Sequence, residues 1–244
     1  MSISFITLTN SGYIDFTLNC IESLKKIGCT TELTSYCIGK DGYNILKSKG
    51  HKAILIDEEE NNNFQIFRTG NWSNIVYHKF EIIHANLLNH NFVCFTDGDI
   101  VYERQDFMKY LLENMGDLEM LIQNESMCNN IDKNDVCSGF MFIRSTPNTI
   151  ELFDPINVEK FRNRVGWGDQ MYINDIKTKL KFKPLESELF PNGNYFYKNY
   201  KNITPYLIHF NWILGNHKKQ KMIDYNKWLL PEPNITEEIL QEHT

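Results

Sequence analysis

The densest grouping of reactive side chains is Thr96-Asp97-Gly98-Asp99-Ile100, directly after the apolar run Phe92-Val93-Cys94-Phe95. Two carboxylates flanking one glycine can converge on a hard divalent cation, and Mg²⁺ and Mn²⁺ often share such oxygen ligands with substrate phosphates. The plainer reading is an acidic Asp-Gly turn. The end of a core strand, where open α/β sheets gather their ligands, favours a site. A second grouping is His209-Phe210-Asn211-Trp212-Ile213-Leu214-Gly215-Asn216-His217-Lys218-Lys219. A neutral His209 imidazole can add a metal ligand, Gly215 lets backbone approach a phosphate, and Lys218 or Lys219 can neutralise a departing diphosphate. Alternatively His209 is a hydrogen-bonded core histidine. A third is Gly166-Trp167-Gly168-Asp169-Gln170, where a carboxylate and an amide at a helix start suit sugar hydroxyls, or Asp169 simply N-caps that helix.

The elements that must position these groups can be read from apolar spacing. Ile3–Leu8 is a short apolar run ending in a polar turn, the profile of a buried parallel strand. Phe16, Cys20, Ile21, Leu24 and Ile27 follow at helical spacing, and Gly28 closes that helix. Leu33–Ile38 and Ala53–Ile56 read as strands around a short helix Tyr43–Lys49, so the first third implies βαβαβ and a parallel sheet with right-handed crossovers. Asp57 to Asn74 is polar and reads as a surface loop. Ile75–Leu88 is a helix, Phe92–Thr96 a strand covered on both faces, Phe107–Asn114 a helix and Met120–Gln123 a strand. Phe140–Arg144 is a strand whose ends are marked by Ser138-Gly139 and Ser145-Thr146-Pro147, and Thr149–Phe153 and Gly168–Ile176 are helices. Beyond Pro184 the chain reads as irregular and aromatic until a last strand, Leu207–Trp212, and residues 231–244 as a peripheral tail with one short helix.

The 244 residues are 42% hydrophobic and 23% charged, an ordinary globular balance for one large α/β domain. No internal repeat or low-complexity linker divides it. A formal net charge of −6 and a single short basic cluster, His217–Lys221, argue against nucleic-acid binding. The six cysteines show no CxxC pair and no zinc spacing, which suits reduced thiols in an intracellular, soluble protein. The N-terminus shows no signal-peptide pattern, and no stretch approaches a bilayer span.

Several motifs occur in a telling order. They are Phe95-Thr96-Asp97-Gly98-Asp99-Ile100-Val101, Cys137-Ser138-Gly139-Phe140-Met141-Phe142-Ile143-Arg144, Gly166-Trp167-Gly168-Asp169-Gln170, Leu189-Phe190-Pro191-x-Gly193, and His209-x-Asn211-Trp212-x-x-Gly215 with Lys219. Together, from about Ile75 to Trp228, they resemble the nucleotide-diphospho-sugar transferase family of GT-A glycosyltransferases. The resemblance implies a single Rossmann-like GT-A domain, with residues 1–90 a nucleotide-binding half and 91–230 carrying metal, donor sugar and acceptor. It implies a nucleotide-sugar donor, usually a UDP-sugar, bound through Mn²⁺ or Mg²⁺. Asp99 and His209 would coordinate the metal, and Asp97 the metal or ribose. Lys79 would contact nucleotide or diphosphate, its alternative being a solvated helix lysine. Asp169 would face donor sugar or acceptor with Gln170 beside it, and Ser138 and Gly139 would line the sugar pocket. Thr7, Thr9 and Tyr13 would meet base and ribose.

The reaction implied is transfer of the sugar to a hydroxyl of a glycan or protein acceptor, with retention of anomeric configuration. Asp169 acting as general base on the opposite face would instead give inversion. A metal-dependent nucleotidyltransferase, a nucleotide-sugar hydrolase and an inactive sugar-binding scaffold are the alternatives that fit the same residues.

Overall fold

The computed structural model describes residues 1–58, 72–125, 135–165, 168–213 and 215–231. Its frame is an α/β layer structure built on one seven-stranded, mostly parallel sheet flanked by helices. The strands are β1 (Ile3–Asn10), β2 (Thr34–Ile38), β3 (Ala53–Asp57), β4 (Phe92–Thr96), β6 (Met120–Asn124), β7 (Val136–Arg144) and β8 (Phe182–Pro184), in spatial order β3-β2-β1-β4-β7-β6-β8. β1 pairs in parallel with β2 and β4, and β2 with β3, as the βαβαβ reading expects. β7 runs antiparallel to both of its neighbours. A separate two-stranded sheet joins β5 (Ile100–Tyr102) to β9 (Leu207–His209).

The helices are α1 (Ile14–Lys26), α2 (Lys40–Ser48), α3 (Trp72–Leu87), α4 (Phe107–Met115), α5 (Pro147–Phe153), α6 (Pro155–Val165), α7 (Asp169–Ile176), α8 (Gly193–Asn199) and α9 (Asn216–Asp224). They bury two apolar layers. One, on the α1 and α4 face, gathers Phe5, Leu18, Cys94, Phe107 and Phe142; the other, on the α3 and α7 face, gathers Ile6, Phe80, Phe95, Met141 and Ile173. Phe5 and Ile6 fall on opposite faces because side chains alternate along a strand, so a near-continuous apolar run is what a doubly covered strand requires.

Several expected boundaries change. Ser138 and Gly139 lie inside β7 rather than at its end, since the strand begins at Val136. Asp57 closes β3, and α3 begins at Trp72, so both ends of the expected Asp57–Asn74 loop belong to regular elements. The final strand stops at His209, and Trp212 turns away with φ +65°. The stretch beyond Pro184 holds α8, which is started by the Asn192 side chain accepting from the Tyr195 N–H at 2.9 Å. The expected helix in the 231–244 tail lies outside the described residues. Cys20, Cys29, Cys37, Cys94 and Cys137 are free thiols. Among the described residues no helix is long and apolar enough to cross a membrane.

Candidate active site

The site forms where β4 ends. The Asp97 N–H donates to the Gly139 carbonyl at 2.7 Å, which holds the turn after β4 against the first half of β7. The chain then enters β5, where Ile100 pairs with His209 of β9, and the Phe210 N–H donates to the Asp99 carbonyl at 3.0 Å. This small sheet carries His209 to the acidic turn. The His209 Nε2 lies 3.2 Å from Asp99 Oδ1 and 3.8 Å from Asp97 Oδ2. Potential ligand atoms of Asp97, Asp99 and His209 all lie within 4.8 Å of one another.

Two features orient the imidazole. Its Nδ1 lies 2.7 Å from Gln123 Oε1, so an Nδ1–H donated to that amide leaves the Nε2 lone pair facing the carboxylates. The space beside it is that of a missing side chain. A Cβ on Gly139 would stand 2.2 Å from His209 Cε1 and 2.8 Å from Asp97 Oδ2. Two carboxylate oxygens and one imidazole nitrogen, packed around a glycine cradle, fit a divalent cation such as Mn²⁺ or Mg²⁺.

Two buried lysines flank this centre. Lys79 of α3 pairs with Asp97 at 3.1 Å, bonds the Asp169 carboxylate, and donates to the Ser138 carbonyl at 3.3 Å. It is no solvated helix lysine. Burial pulls its ammonium down, but Asp169 and Asp97 outweigh that and raise it above the usual lysine range. Asp169 opens α7 without capping it. Its carboxylate instead takes the Ser138 hydroxyl at 2.7 Å as well as Lys79. On the other side, Lys218 of α9 bonds Asp99 and donates to the Tyr13 hydroxyl at 2.6 Å, which itself lies 3.1 Å from Asp99.

The two aspartates feel opposite fields. Burial alone would raise both. Asp97 stays raised, because burial and the neighbouring Asp99 outweigh Lys79 and His209. Asp99 is held well below the usual carboxylate range, because Lys218 and His209 overcome its burial. Burial, with Asp99 and Asp97 nearby, pushes the Tyr13 hydroxyl well up.

The remaining expected residues are placed unequally. Thr7 is 0% exposed, and its hydroxyl has no partner among the described residues. Because Thr7 shares the covered face of β1 with Phe5, it belongs to the core and offers no surface to a base or ribose. Thr9 is also buried and receives the Thr17 hydroxyl at 2.8 Å. Gly215 precedes α9 with φ +58° and open space where a Cβ would point. Lys219 lies 4.7 Å from the Trp228 ring centroid, away from the Asp99 contact that Lys218 makes. Gln170 lies near enough to Glu125 to lower its carboxyl, and that carboxylate receives the Asn211 amide at 3.3 Å. Gly166 and Trp167 lie outside the described residues.

Gln123 and Glu125 escaped the sequence reading. The available signal was polarity: Gln123, fully buried, ends the otherwise apolar run Met120–Ile122, and Glu125 follows within two residues. Burial raises the Glu125 carboxyl, against His209, Asn211, Cys137 and Gln170, which lower it.

A family model for nucleotide-diphospho-sugar transferases matches residues 36–223, and the chain belongs to that family. Its fold is that of the GT-A glycosyltransferases. A curated relative from Dictyostelium discoideum, the UDP-galactose:fucoside alpha-3-galactosyltransferase, is 26% identical over 290 aligned positions. That alignment covers 94% of this chain but 43% of the relative, so the chain spans less than half its length. Among solved structures, the galactosyltransferase LgtC with donor and acceptor sugar analogues superposes with a TM-score of 0.61 at 11% identity, covering 96% of this chain and 98% of that one. Mouse xyloside xylosyltransferase 1 superposes with a TM-score of 0.55 at 12% identity, covering 87% and 98%. At those identities the likeness speaks for the fold.

Proposed function

We propose that the chain transfers galactose from UDP-galactose to a sugar hydroxyl, with a fucoside as the first acceptor to test, using Mn²⁺ and retaining the anomeric configuration. The observation that carries this reading is the convergence of Asp97, Asp99 and His209 beside the buried Lys218 ammonium. The galactose and fucoside follow the relative's name, and the UDP donor, the metal and the retention follow the family resemblance. A bound divalent cation would offset charge building on the departing diphosphate. Asp97, Asp99 and His209 would hold it. Lys218, already seated on Asp99, stands ready to turn its charge toward the phosphates, and Tyr13 steadies that ammonium.

Asp169 is poorly placed to serve as a general base. Its Oδ2 is taken up by Lys79 and by the Ser138 hydroxyl, and its side chain is nearly enclosed. Its role in this reading is to present a fixed carboxylate edge to hydroxyls of the donor sugar, with Gln170 beside it. The acceptor oxygen then bonds the anomeric carbon as the bond to the phosphate oxygen breaks, and the acceptor's proton passes to that departing phosphate oxygen. The bond forms on the face the diphosphate leaves, so configuration is retained.

The test is incubation with UDP-galactose, Mn²⁺ and a panel of methyl glycosides, following UDP release and assigning the product anomer by NMR. An α-galactosyl product that needs the metal supports the reading. A β product would overturn retention, free galactose released at the full rate would mark a hydrolase, and binding without turnover would mark a scaffold.

A further inference from the structure

Trp212 is an outlier in both backbone and exposure. Its φ of +65° lies in the left-handed region, which a bulky non-glycine residue rarely occupies unless its surroundings impose it. The surroundings are visible at Asn211, the residue before. Its side-chain oxygen accepts from the Gly193 N–H at 2.7 Å, its carbonyl accepts from the Tyr197 hydroxyl at 3.1 Å, and its amide donates to Glu125 at 3.3 Å. The contact is close enough that a Cβ on Gly193 would stand 2.2 Å from the Asn211 carbonyl oxygen. Backbone strain of this kind clusters at active sites and ligand clamps, where the side chain meets a ligand. Here Phe210 is fully buried, whereas Trp212 is left 49% exposed.

We propose that Trp212 is the platform on which the acceptor's sugar ring stacks, an inference that rests on the glycosyltransfer reading above. Trp212 follows His209 by three residues, a span of at most about 11 Å. The indole is therefore rooted within about two sugar lengths of His209 and the acidic turn. A pyranose ring presents a face of C–H bonds, which suits the negative face of an indole, and a rim of hydroxyls. The rim has a partner as well. The Glu125 carboxylate, bonded by the amide of Trp212's neighbour Asn211, offers acceptor oxygens one residue away along the chain's contacts. These contacts lead toward β6, whereas Lys218 and Tyr13, the groups suited to the diphosphate, sit on α9 and in the short turn between β1 and α1. Stacking on the acceptor, rather than on the donor's base, follows from that division.

The test follows the indole N–H signals of ¹⁵N-tryptophan-labelled protein, with Trp212→Phe identifying the signal of interest. The protein is first saturated with UDP and Mn²⁺, then titrated with methyl galactoside, glucoside, fucoside and xyloside. The expected result is that at least one glycoside shifts the Trp212 signal, and that UDP with Mn²⁺ does not. No shift with any of the four, or a shift caused by UDP and by no glycoside, would overturn the inference. In kinetics, Trp212→Ala raises the acceptor KM by about fivefold to tenfold while the donor KM stays within about twofold, and Trp212→Tyr restores most of the loss. Equal rises in both KM values would mean a merely structural role and sink the proposal. Trp212→Gly, which relieves the left-handed strain, should raise the melting temperature yet weaken acceptor use. Failure of UDP and Mn²⁺ to bind the parent protein would instead bring down the glycosyltransfer reading itself.

Discussion

Replacing Gly139 by alanine adds one methyl at the point where β7, the acidic turn and His209 meet. The new carbon would stand 2.2 Å from His209 Cε1, 2.8 Å from Asp97 Oδ2 and 2.9 Å from His209 Nδ1. Ordinary carbon contacts are about 3.5–4.0 Å, so something must move by roughly 1.3 Å or more. The imidazole is tied through Nδ1 to Gln123 at 2.7 Å, and its backbone N–H donates to Pro191 at 3.1 Å. The Gly139 carbonyl is in turn bonded by Asp97, so the strand cannot withdraw without pulling the acidic turn with it. Overpacking of this kind costs about 1–3 kcal/mol. For a chain of this size that lowers the melting temperature by about 2–12 °C. Moving a ligand by more than an ångström should weaken Mn²⁺ binding and turnover by about 100-fold. Calorimetric titration with Mn²⁺, UDP release and thermal melting by circular dichroism measure the three effects. A variant that melts within about 1 °C of the parent and binds Mn²⁺ within about threefold would refute the placement of His209 against Gly139.

Four further outcomes follow from the same geometry. Lys79→Met leaves Asp97 and Asp169 facing one another without their shared buried cation, a loss of roughly 3–5 kcal/mol in urea unfolding, and Asp169→Asn in the same chain should recover part of it. Gln123→Leu removes the Nδ1 partner of His209 and should weaken Mn²⁺ binding by about 10- to 100-fold with little change in fold, read by calorimetry and circular dichroism. Lys218→Gln should weaken UDP binding in the presence of Mn²⁺ by about tenfold or more, whereas Lys219→Gln, whose ammonium lies over Trp228, should leave it within about threefold. Because Asp97 is raised and a protonated carboxyl is no ligand, Mn²⁺ affinity should climb as pH rises above the ordinary aspartate value near 3.8 and flatten once Asp97 is ionised. In the metal-free protein the sign reverses for stability: a raised native value contributes stability that is lost as pH rises through it, so melting should fall over that same window. Asp99, held low, contributes stability that disappears only as pH drops below about 3.8. A flat affinity profile across the window would count against Asp97 as a ligand.

Much of the frame is legible in local pattern. Phe92–Phe95 is apolar throughout, as a strand covered on both faces requires, and Ile3–Leu8 is mostly so. The helical spacing of Phe16, Cys20, Ile21 and Leu24 leads to α1, and the Asp97-Gly98-Asp99 turn falls at the strand end where a ligand site belongs. Other elements carry no such signal. α8 is built from Gly193-Asn194-Tyr195-Phe196-Tyr197, poor helix formers held by an Asn192 cap and by packing on Phe210. β5 is three residues, too short to show a period, and exists through pairing with β9, whose start at Leu207 the sequence did show.

Residue types and order, then, were enough for the α/β class, the acidic turn and the set of motifs shared with the family, because hydrophobic periodicity and turn chemistry act over a few neighbouring positions. Which partners those residues meet was settled by folding alone. That Gly139 is a cradle for His209 rather than the end of a strand, that Lys79 is buried between two aspartates, that Lys218 and not Lys219 reaches Asp99, and that Thr7 belongs to the core all depend on contacts between distant segments. Such contacts form only when the sheet order brings β4, β7 and β9 side by side, and no short window of the chain encodes that order.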